Sequence, residues 1–329
     1  MSDAALPRLS SLLPAVTLTW LVAASAFAEP RVLTSIKPLQ LIAAAVQDGV
    51  GTPDVLLPAG ASPHHYTLRP SDLRQVKEAD LVYWIGPDLE GFLPTVLEGR
   101  KGKSVAVQDM QGLHLRHFGE EHRHDDEPVG DQSEGHDAKE QATELQVDNH
   151  DQLHRPGALD AHLWLRPENA RLIAKHMASD LALVDPGNAA RYQANLDAFE
   201  QRLKTLDIKL KARLKPLEGK PFFVFHQAFD YFEEAYGLQH TGVFAINAEV
   251  PPGARHVAEM RERLKAAGPT CIFSEPPMRP RLAQTLSDGL PVHFAELDAL
   301  GFGLKPLSNN YEQLLMNLSD GLAGCLDQL

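Results

Sequence analysis

The sequence DPGNAARYQANLDAFEQRLKTLDIKLKARLKP, residues 185–216, predicts one long helix. The fold predicted for this chain is built around this helix. Asp185 and Pro186 are typical of a helix start, an N-cap residue followed by proline at the first position, and Pro216 ends the helix. Its apolar positions, spaced four and three apart, are Tyr192, Leu196, Phe199, Leu203, Leu206 and Leu210. This spacing forms one stripe. About 30 residues of helix would span about 45 Å, so we predict a strut that joins two lobes.

Short apolar runs alternate with amphipathic stretches on both sides of this helix. The strands predicted before it are Val32–Ser35, Asp54–Leu57, Leu81–Ile85, Ser104–Val107 and Ala161–Leu165. Those predicted after it are Phe222–Phe225, Val243–Ile246, Cys271–Ser274 and Val292–Leu297. Such alternation predicts an α/β fold: two lobes with central, mostly parallel sheets, joined by a single long helix. The predicted parts are an N-terminal lobe at 29–184, the linking helix at 185–216 and a C-terminal lobe at 217–329.

The first 28 residues are predicted to be a signal peptide. Arg8 precedes an apolar stretch from Leu12 to Phe27, and Ala26-Phe27-Ala28 has the pattern of a cleavage site. A membrane anchor is the alternative, but the stretch is short for a span and no stop-transfer pattern follows. We therefore expect a periplasmic protein that starts at Glu29 and has no stable membrane insertion.

A segment at residues 113–155 is rich in histidine and carboxylates. Seven of the chain's 15 histidines lie there, namely His114, His117, His122, His124, His136, His150 and His154. Few apolar side chains interrupt it, so we predict a disordered loop. Imidazoles and carboxylates bind borderline divalent cations, which makes the loop a candidate for weak, auxiliary metal binding. The chain's net charge of −13 argues against a nucleic-acid partner.

Cys271 and Cys325 are the chain's two cysteines. In an oxidising compartment an isolated pair usually forms a disulfide. This bond would stabilise the fold by roughly 4 kcal/mol in the chain-entropy model. The alternative is that both are zinc ligands, but the chain has no C-x-x-C pair.

Coordinating side chains follow several of the predicted strands. Ligands in open α/β sheets bind beyond the carboxyl ends of the strands, and His64, His162, His226 and Asp298 all lie close to such ends. Three imidazoles and one carboxylate form a four-coordinate set that suits Zn²⁺. The sequence therefore predicts a metal site in the cleft between the lobes.

Each of these residues also has a simpler interpretation. A lone histidine beside an apolar strand is more often hydrogen-bonded within the structure than a ligand, and we interpret His176, His240, His256 and His293 in that way. His65 competes with His64 for the ligand position. Asp298 fits equally well as the cap of a turn at Leu300-Gly301.

Four motifs resemble those of metal-binding receptors of ABC importers, specifically the zinc-uptake (ZnuA-type) branch. They are GASPHHYTLRPSD, DAHLWLRPEN, FHQAFDYFEEAYGL and TCIFSEPPMRP, and the similarity extends from about Val32 to Cys325. The resemblance implies that His64, His162 and His226 hold the metal. Some zinc-binding members have a glutamate where this chain has Pro63, so the fourth ligand is Asp298 or a water. The cysteine pair also resembles the disulfide of the zinc-binding members.

The resemblance implies a receptor that binds Zn²⁺ and delivers it to the membrane permease of a zinc ABC importer. We expect a monomer and not an enzyme. The alternatives are a manganese-binding receptor of the same fold and a periplasmic zinc buffer. A zinc hydrolase is disfavoured because the chain has no H-E-x-x-H motif, and Glu275, the nearest candidate base, is interpreted as structural.

Overall fold

The computed structural model of the chain describes residues 29–119, 157–245, 253–277 and 281–329. The predicted signal peptide and most of the predicted histidine-rich loop lie outside these ranges. Within them, no helix combines the length and the apolar composition needed to cross a bilayer.

The N-terminal lobe is built on a four-stranded parallel sheet. Its strands are β1 (Val32–Thr34), β2 (Asp54–Val55), β3 (Leu81–Trp84) and β4 (Lys103–Ala106), in the spatial order β2-β1-β3-β4. Its helices are α1 (Lys37–Val46), α2 (Pro70–Glu78), α3 (Pro94–Leu97) and α4 (Pro167–Val184). Leu33 pairs with Val82 in register, and β1 and β3 are buried along their length. Strands covered on both faces are typical of parallel sheets.

The predicted long helix is present as α5 (Ala189–Leu214), with a 3₁₀ turn at each end, Pro186–Asn188 and Lys215–Leu217. All six residues of the predicted apolar stripe are buried, together with Leu214. The helix packs against α1 and α4 of the N-terminal lobe. The side chain of Asp185 accepts hydrogen bonds from the Asn188 amide and the Tyr192 hydroxyl at 2.7 Å each, which fixes the start of the helix.

The C-terminal lobe repeats the topology of the first. Its strands are β5 (Phe222–His226), β6 (Gly242–Ala245), β7 (Thr270–Ser274) and β8 (Val292–Glu296), in the parallel order β6-β5-β7-β8. Its helices are α6 (Asp230–Tyr236), α7 (Ala254–Ala267), α8 (Arg281–Leu286) and α9 (Asn310–Leu326). Helix α9 packs on α5 and α1. The two lobes, their parallel sheets and the long helix confirm the predicted fold class.

One continuous hydrophobic core extends from the first sheet across α5 into the second lobe. The Trp164 indole N–H donates to the carbonyl of Ala299 at 2.9 Å, and the Tyr311 hydroxyl donates to the carbonyl of Trp164 at 2.6 Å. Both hydrogen bonds are buried and join the two halves. A disulfide between Cys271 and Cys325 ties α9 to strand β7, as the sequence predicts.

The strand predicted at Ala161–Leu165 is wrong, because these residues form a 3₁₀ turn at Leu163–Leu165. The Leu165 N–H donates to the carbonyl of His162 at 3.1 Å, and the Asn169 amide donates to that of Leu163 at 3.1 Å. These local hydrogen bonds satisfy the backbone without a sheet partner. A short, fully buried apolar run does not by itself distinguish a strand from a buried turn.

Candidate metal centre

Three histidines from three distant segments meet at one place in the fold. His64 lies in the loop after β2, His162 immediately precedes the 3₁₀ turn at Leu163–Leu165, and His226 is the last residue of β5. Their ring centroids are 5.1 to 5.6 Å apart. One ring nitrogen from each lies within 4.8 Å of the other two. This spacing suits one ion bound by all three imidazoles, since zinc–nitrogen bonds are about 2.0–2.1 Å long.

The topology explains why these side chains converge. His64 lies beyond the carboxyl end of β2, and His226 is at the carboxyl end of β5. Open α/β sheets bind ligands at this edge. His162 is presented by a turn that is itself fixed, because its backbone N–H donates to Asp160 Oδ1 at 3.0 Å. His162 and His226 are buried, and His64 is half-buried. The arrangement therefore has one partly exposed candidate ligand, His64, and two enclosed ones.

A carboxylate holds Nδ1 of each buried histidine. Nδ1 of His162 lies 2.8 Å from Asp160 Oδ1, and Nδ1 of His226 lies 3.2 and 3.4 Å from the two carboxylate oxygens of Glu275. Carboxylates in this position orient metal-binding imidazoles and raise their basicity. They leave Nε2 of each ring as the nitrogen available to a metal.

The two buried histidines differ in protonation. Burial lowers the pKa of His162 to about 3, and the neighbouring charge of His226 adds to this effect. Burial also disfavours the charged form of His226, but the charge and hydrogen bond of Glu275, together with the charges of Asp160 and Asp230, outweigh it and raise the His226 pKa above its usual value. Burial raises the pKa of Asp160 to about 7. His162 is thus neutral at physiological pH, as a metal ligand must be, whereas a proton competes with the metal at His226.

The histidines open into a cavity of about 290 Å³ between the lobes. Its walls are mostly apolar and include Trp164, Pro276, Pro277, Leu300 and Phe302. Few polar groups apart from the three histidines, Glu275 and Asp298 face this space. Apolar walls lower the local dielectric constant and so strengthen ion–ligand interactions.

Asp298 lines the same cavity, but its carboxylate is engaged in a turn. Oδ1 accepts the backbone N–H groups of Leu300 and Gly301 at 3.0 and 2.7 Å, and Oδ2 accepts that of Phe302 at 2.8 Å. Burial nonetheless raises its pKa. Among the described residues that line this cavity, the potential ligand atoms that lie within 4.8 Å of one another belong to the three histidines and to no carboxylate. The geometry therefore favours the turn-capping alternative for Asp298, and its role as a ligand stays a prediction.

The other predicted ligands lie elsewhere. His65, the competitor of His64, is exposed and outside the cluster. His114 Nε2 lies 3.0 Å from Glu234 Oε1, and the backbone of His117 forms a bridge with Leu159. The remaining histidines of the predicted loop, His122, His124, His136, His150 and His154, lie outside the described residues.

Sequence reasoning missed the two carboxylates that hold the histidines. Asp160 stands two residues before His162 in the quoted DAHLWLRPEN motif, a spacing that signals a local side chain to backbone hydrogen bond. Glu275, interpreted as structural, directly follows β7. The strand-end rule that identified His226 applies equally to Glu275, so the signal was present.

Comparison with known proteins identifies relatives along nearly the whole chain. Residues 32–325 match the family model described as ZnuA, zinc-uptake complex component A, periplasmic. The chain is 37% identical over 320 residues to a high-affinity zinc uptake system protein ZnuA of Brucella suis, covering 90% of this chain and 92% of that protein. It is 36% identical over 300 residues to the protein of the same name from Yersinia pestis, with coverages of 91% and 92%.

Solved structures with the same fold include a zinc-bound 138–173 deletion mutant of ZnuA, with a TM-score of 0.70 at 22% identity. The alignment covers 91% of this chain and 98% of that one. A second is FpvC of Pseudomonas aeruginosa in complex with Mn²⁺, with a TM-score of 0.70, 18% identity and coverages of 92% of this chain and 99% of that one. At these identities the similarity shows the fold alone, and it includes structures with different metals.

Proposed function

Because the chain belongs to the ZnuA family of periplasmic zinc-uptake components, we propose that it is a high-affinity receptor that binds Zn²⁺ and delivers it to an ABC importer. The observation that carries this proposal is the convergence of His64, His162 and His226 on one cavity. In this proposal the three imidazoles hold the ion, and Asp298 or a water completes the coordination.

The donor set supports zinc over manganese. Imidazole suits Zn²⁺, whereas Mn²⁺ prefers carboxylate, carbonyl and water oxygens. The two carboxylates closest to the ligand histidines, Asp160 and Glu275, contact Nδ1 of these rings. They act on the metal through the imidazoles, which leaves a nitrogen-rich set for the ion.

The surroundings support a binding role over a hydrolytic one. A hydrolase with three histidine ligands needs a metal-bound water and a group to accept its proton. Glu275 is the carboxylate best placed for such a role, and its two oxygens face Nδ1 of His226. Its position fits a residue that orients the ligand.

The shared core supports a small change of shape on metal binding. Apolar contacts continue from one lobe through α5 to the other, and separating the lobes would expose this surface at about 25 cal/mol per Å². We propose that loading orders the loop of His64, the half-buried ligand, and rotates the lobes slightly. The loaded form then docks on the permease.

The direct test is zinc affinity of the His226→Ala variant, measured by competition with a high-affinity chelator so that weak sites do not register. We expect a loss of at least about 100-fold, because even removing an outer partner of a ligand costs about 10–100-fold. His176→Ala is the matched control, since His176 is exposed on α4. Unchanged affinity in His226→Ala would contradict the assignment of this site.

A further inference from the structure

A second group of potential metal ligands lies in the C-terminal lobe. Asp230 and Glu233 stand three residues apart on α6 and so share one face of the helix. Gly237 ends the helix with a positive φ of 68°, which turns the chain back so that His240 lies against Glu233. The His240 backbone N–H donates to Glu233 Oε2 at 2.9 Å. One ligand atom from each of Asp230, Glu233 and His240 lies within 4.8 Å of the other two.

The side chains of this group are close-packed around one point. Nδ1 of His240 lies 3.0 and 2.9 Å from the two oxygens of Glu233 and 3.6 Å from Asp230 Oδ1. Asp230 and Glu233 are buried, at 8% and 4% exposure. An imidazole thus stands between two enclosed carboxylates, where a proton on the ring and a metal ion would satisfy the same negative charge.

The local charge favours a cation. Asp230 and Glu233 bring two carboxylates to one imidazole, and Asp160 is a third acidic group close enough to act on Asp230. The positive groups that act on these carboxylates include His240 itself and Arg116, and Arg116 forms an ion pair with Glu234. Arg263 also lines the cavity, and the Gln227 amide donates to Asp230 Oδ2 at 2.8 Å. Enclosed carboxylates are costly unless a proton or a cation compensates them.

The group is accessible from a cavity separate from the first. This cavity, of about 910 Å³, is lined by Asp230, Glu233 and His240 together with His117, His256 and Met260, among others. It shares no lining residue with the cavity of the three histidines. Its volume accommodates an ion and several waters, each of which takes about 30 Å³ in the liquid.

We propose that Asp230, Glu233 and His240 form a second divalent cation site that binds Zn²⁺ more weakly than the three histidines do. Two carboxylates and one imidazole are ligands of first-row divalent cations. Binding is weaker because the ion must displace the contacts between His240 and Glu233, and because the Arg116 guanidinium lies nearby. The site uses no ligand of the first centre, so it does not depend on the function proposed above.

The test combines diffraction with stoichiometry on the full mature chain, using Zn²⁺ alone as the probe. Anomalous maps recorded above and below the zinc absorption edge should show an ion at about 2.0–2.2 Å from all three side chains. At saturating zinc, native mass spectrometry of His240→Ala should count one Zn²⁺ fewer per chain than the parent. His256→Ala is the matched control, because His256 lines the same cavity but contacts the Val243 carbonyl at 2.9 Å.

The same experiment separates this site from the first one. His226→Ala should keep the ion at Asp230, Glu233 and His240 while losing the ion at the histidine cluster. The proposal is overturned if the map shows no ion at the three side chains, if the ion persists in His240→Ala, or if His240→Ala and the parent bind equal numbers of ions.

Discussion

The two ligand groups of this molecule are assembled in opposite ways. His64, His162 and His226 come from segments more than 60 residues apart in the chain. They meet because the two sheets present the carboxyl ends of β2 and β5 to one cavity, which the 3₁₀ turn after His162 also reaches. Asp230, Glu233 and His240 come from one helix and the turn after it. The first group is nitrogen-only and its buried ligands are oriented by carboxylates outside the set, whereas the second has its carboxylates within the set.

On this comparison, we expect the group whose donors are held by other residues to bind the ion more tightly. At the first centre Asp160 and Glu275 hold the rings in place before an ion arrives, so little ordering remains to be paid on binding. At the second, the same donors that would bind an ion are bonded to each other. We therefore expect the two groups to respond very differently to pH and to substitution.

The largest expected effect is that of pH on the first centre. Burial lowers the pKa of His226, but Glu275, with smaller contributions from Asp160 and Asp230, outweighs burial and raises it, and a metal must displace the proton. Zinc affinity should therefore fall as pH drops through this raised pKa, by about tenfold per pH unit below it. His162, with a pKa near 3, should add nothing. Chelator competition between pH 8 and pH 5.5 measures the slope.

Glu275→Gln is the control for this pH dependence. Without the carboxylate, burial lowers the pKa of His226 against only the smaller opposing charges of Asp160 and Asp230, so the loss of affinity should move to lower pH. The variant should bind zinc less tightly at pH 8, and its deficit should shrink as pH falls. A pH profile that coincides with that of the parent would show that Glu275 does not control His226.

The next effect in size is expected from Asp160→Asn. This carboxylate fixes both the ring and the backbone of His162 through contacts at 2.8 and 3.0 Å, and outer partners of this kind are worth about 10–100-fold in metal affinity. The loss should fall on the first centre, with the ion count at the second unchanged in native mass spectra. Asp180→Asn is the comparison variant, because Asp180 bonds the hydroxyl of Tyr83 far from either group.

A smaller effect on zinc affinity is expected from Asp298→Asn. This variant tests whether the first centre includes a carboxylate ligand. The Asp298 oxygens accept three backbone N–H groups, so we expect a loss of stability of about 1 kcal/mol and a change in zinc affinity of less than about threefold, well below that of an outer partner. Thermal unfolding of the metal-free chain and chelator competition measure the two quantities. A loss as large as that of His226→Ala would instead establish Asp298 as the fourth ligand.

The smallest effect on the tight site is expected from deleting residues 120–155, the part of the predicted loop outside the described residues. The three histidines, their carboxylates and both cavities remain, so chelator competition should give the same affinity within about twofold. Only the number of weakly bound ions, measured by equilibrium dialysis, should fall. A chain that loses its tight binding together with this segment would fit a zinc buffer and not a receptor.

The sequence predicted the fold more completely than it predicted the contacts within the site. The stripe on α5 was predictable because helical periodicity depends on local spacing alone. The same approach misassigned Ala161–Leu165, since a buried turn and a buried strand are equally apolar. It predicted His64, His162 and His226, which the structure brings together. It did not predict the contact of Glu275 with His226, which joins residues 49 apart in the chain.

His240 is a second residue whose tertiary contacts the sequence pattern did not predict. It was interpreted as a structural histidine, and its hydrogen bonds to Glu233 agree with that reading. Its proximity to Asp230 appears only once Gly237 has reversed the chain. No residue pattern shows that this turn also opens on a cavity.

Sequence patterns alone were enough to predict the alternation of strands and helices, the long helix, the pairing of the two cysteines and the three histidines that the structure groups together. Each depends on residue type, spacing or strand position, and these are properties of the chain. The contact of each carboxylate with its ring, the hydrogen bonds of the Asp298 oxygens in a turn, and the two separate groups of donors became visible in the folded structure. Those outcomes depend on distances between segments far apart in sequence, which packing of the sheets against α5 sets and local preference does not encode.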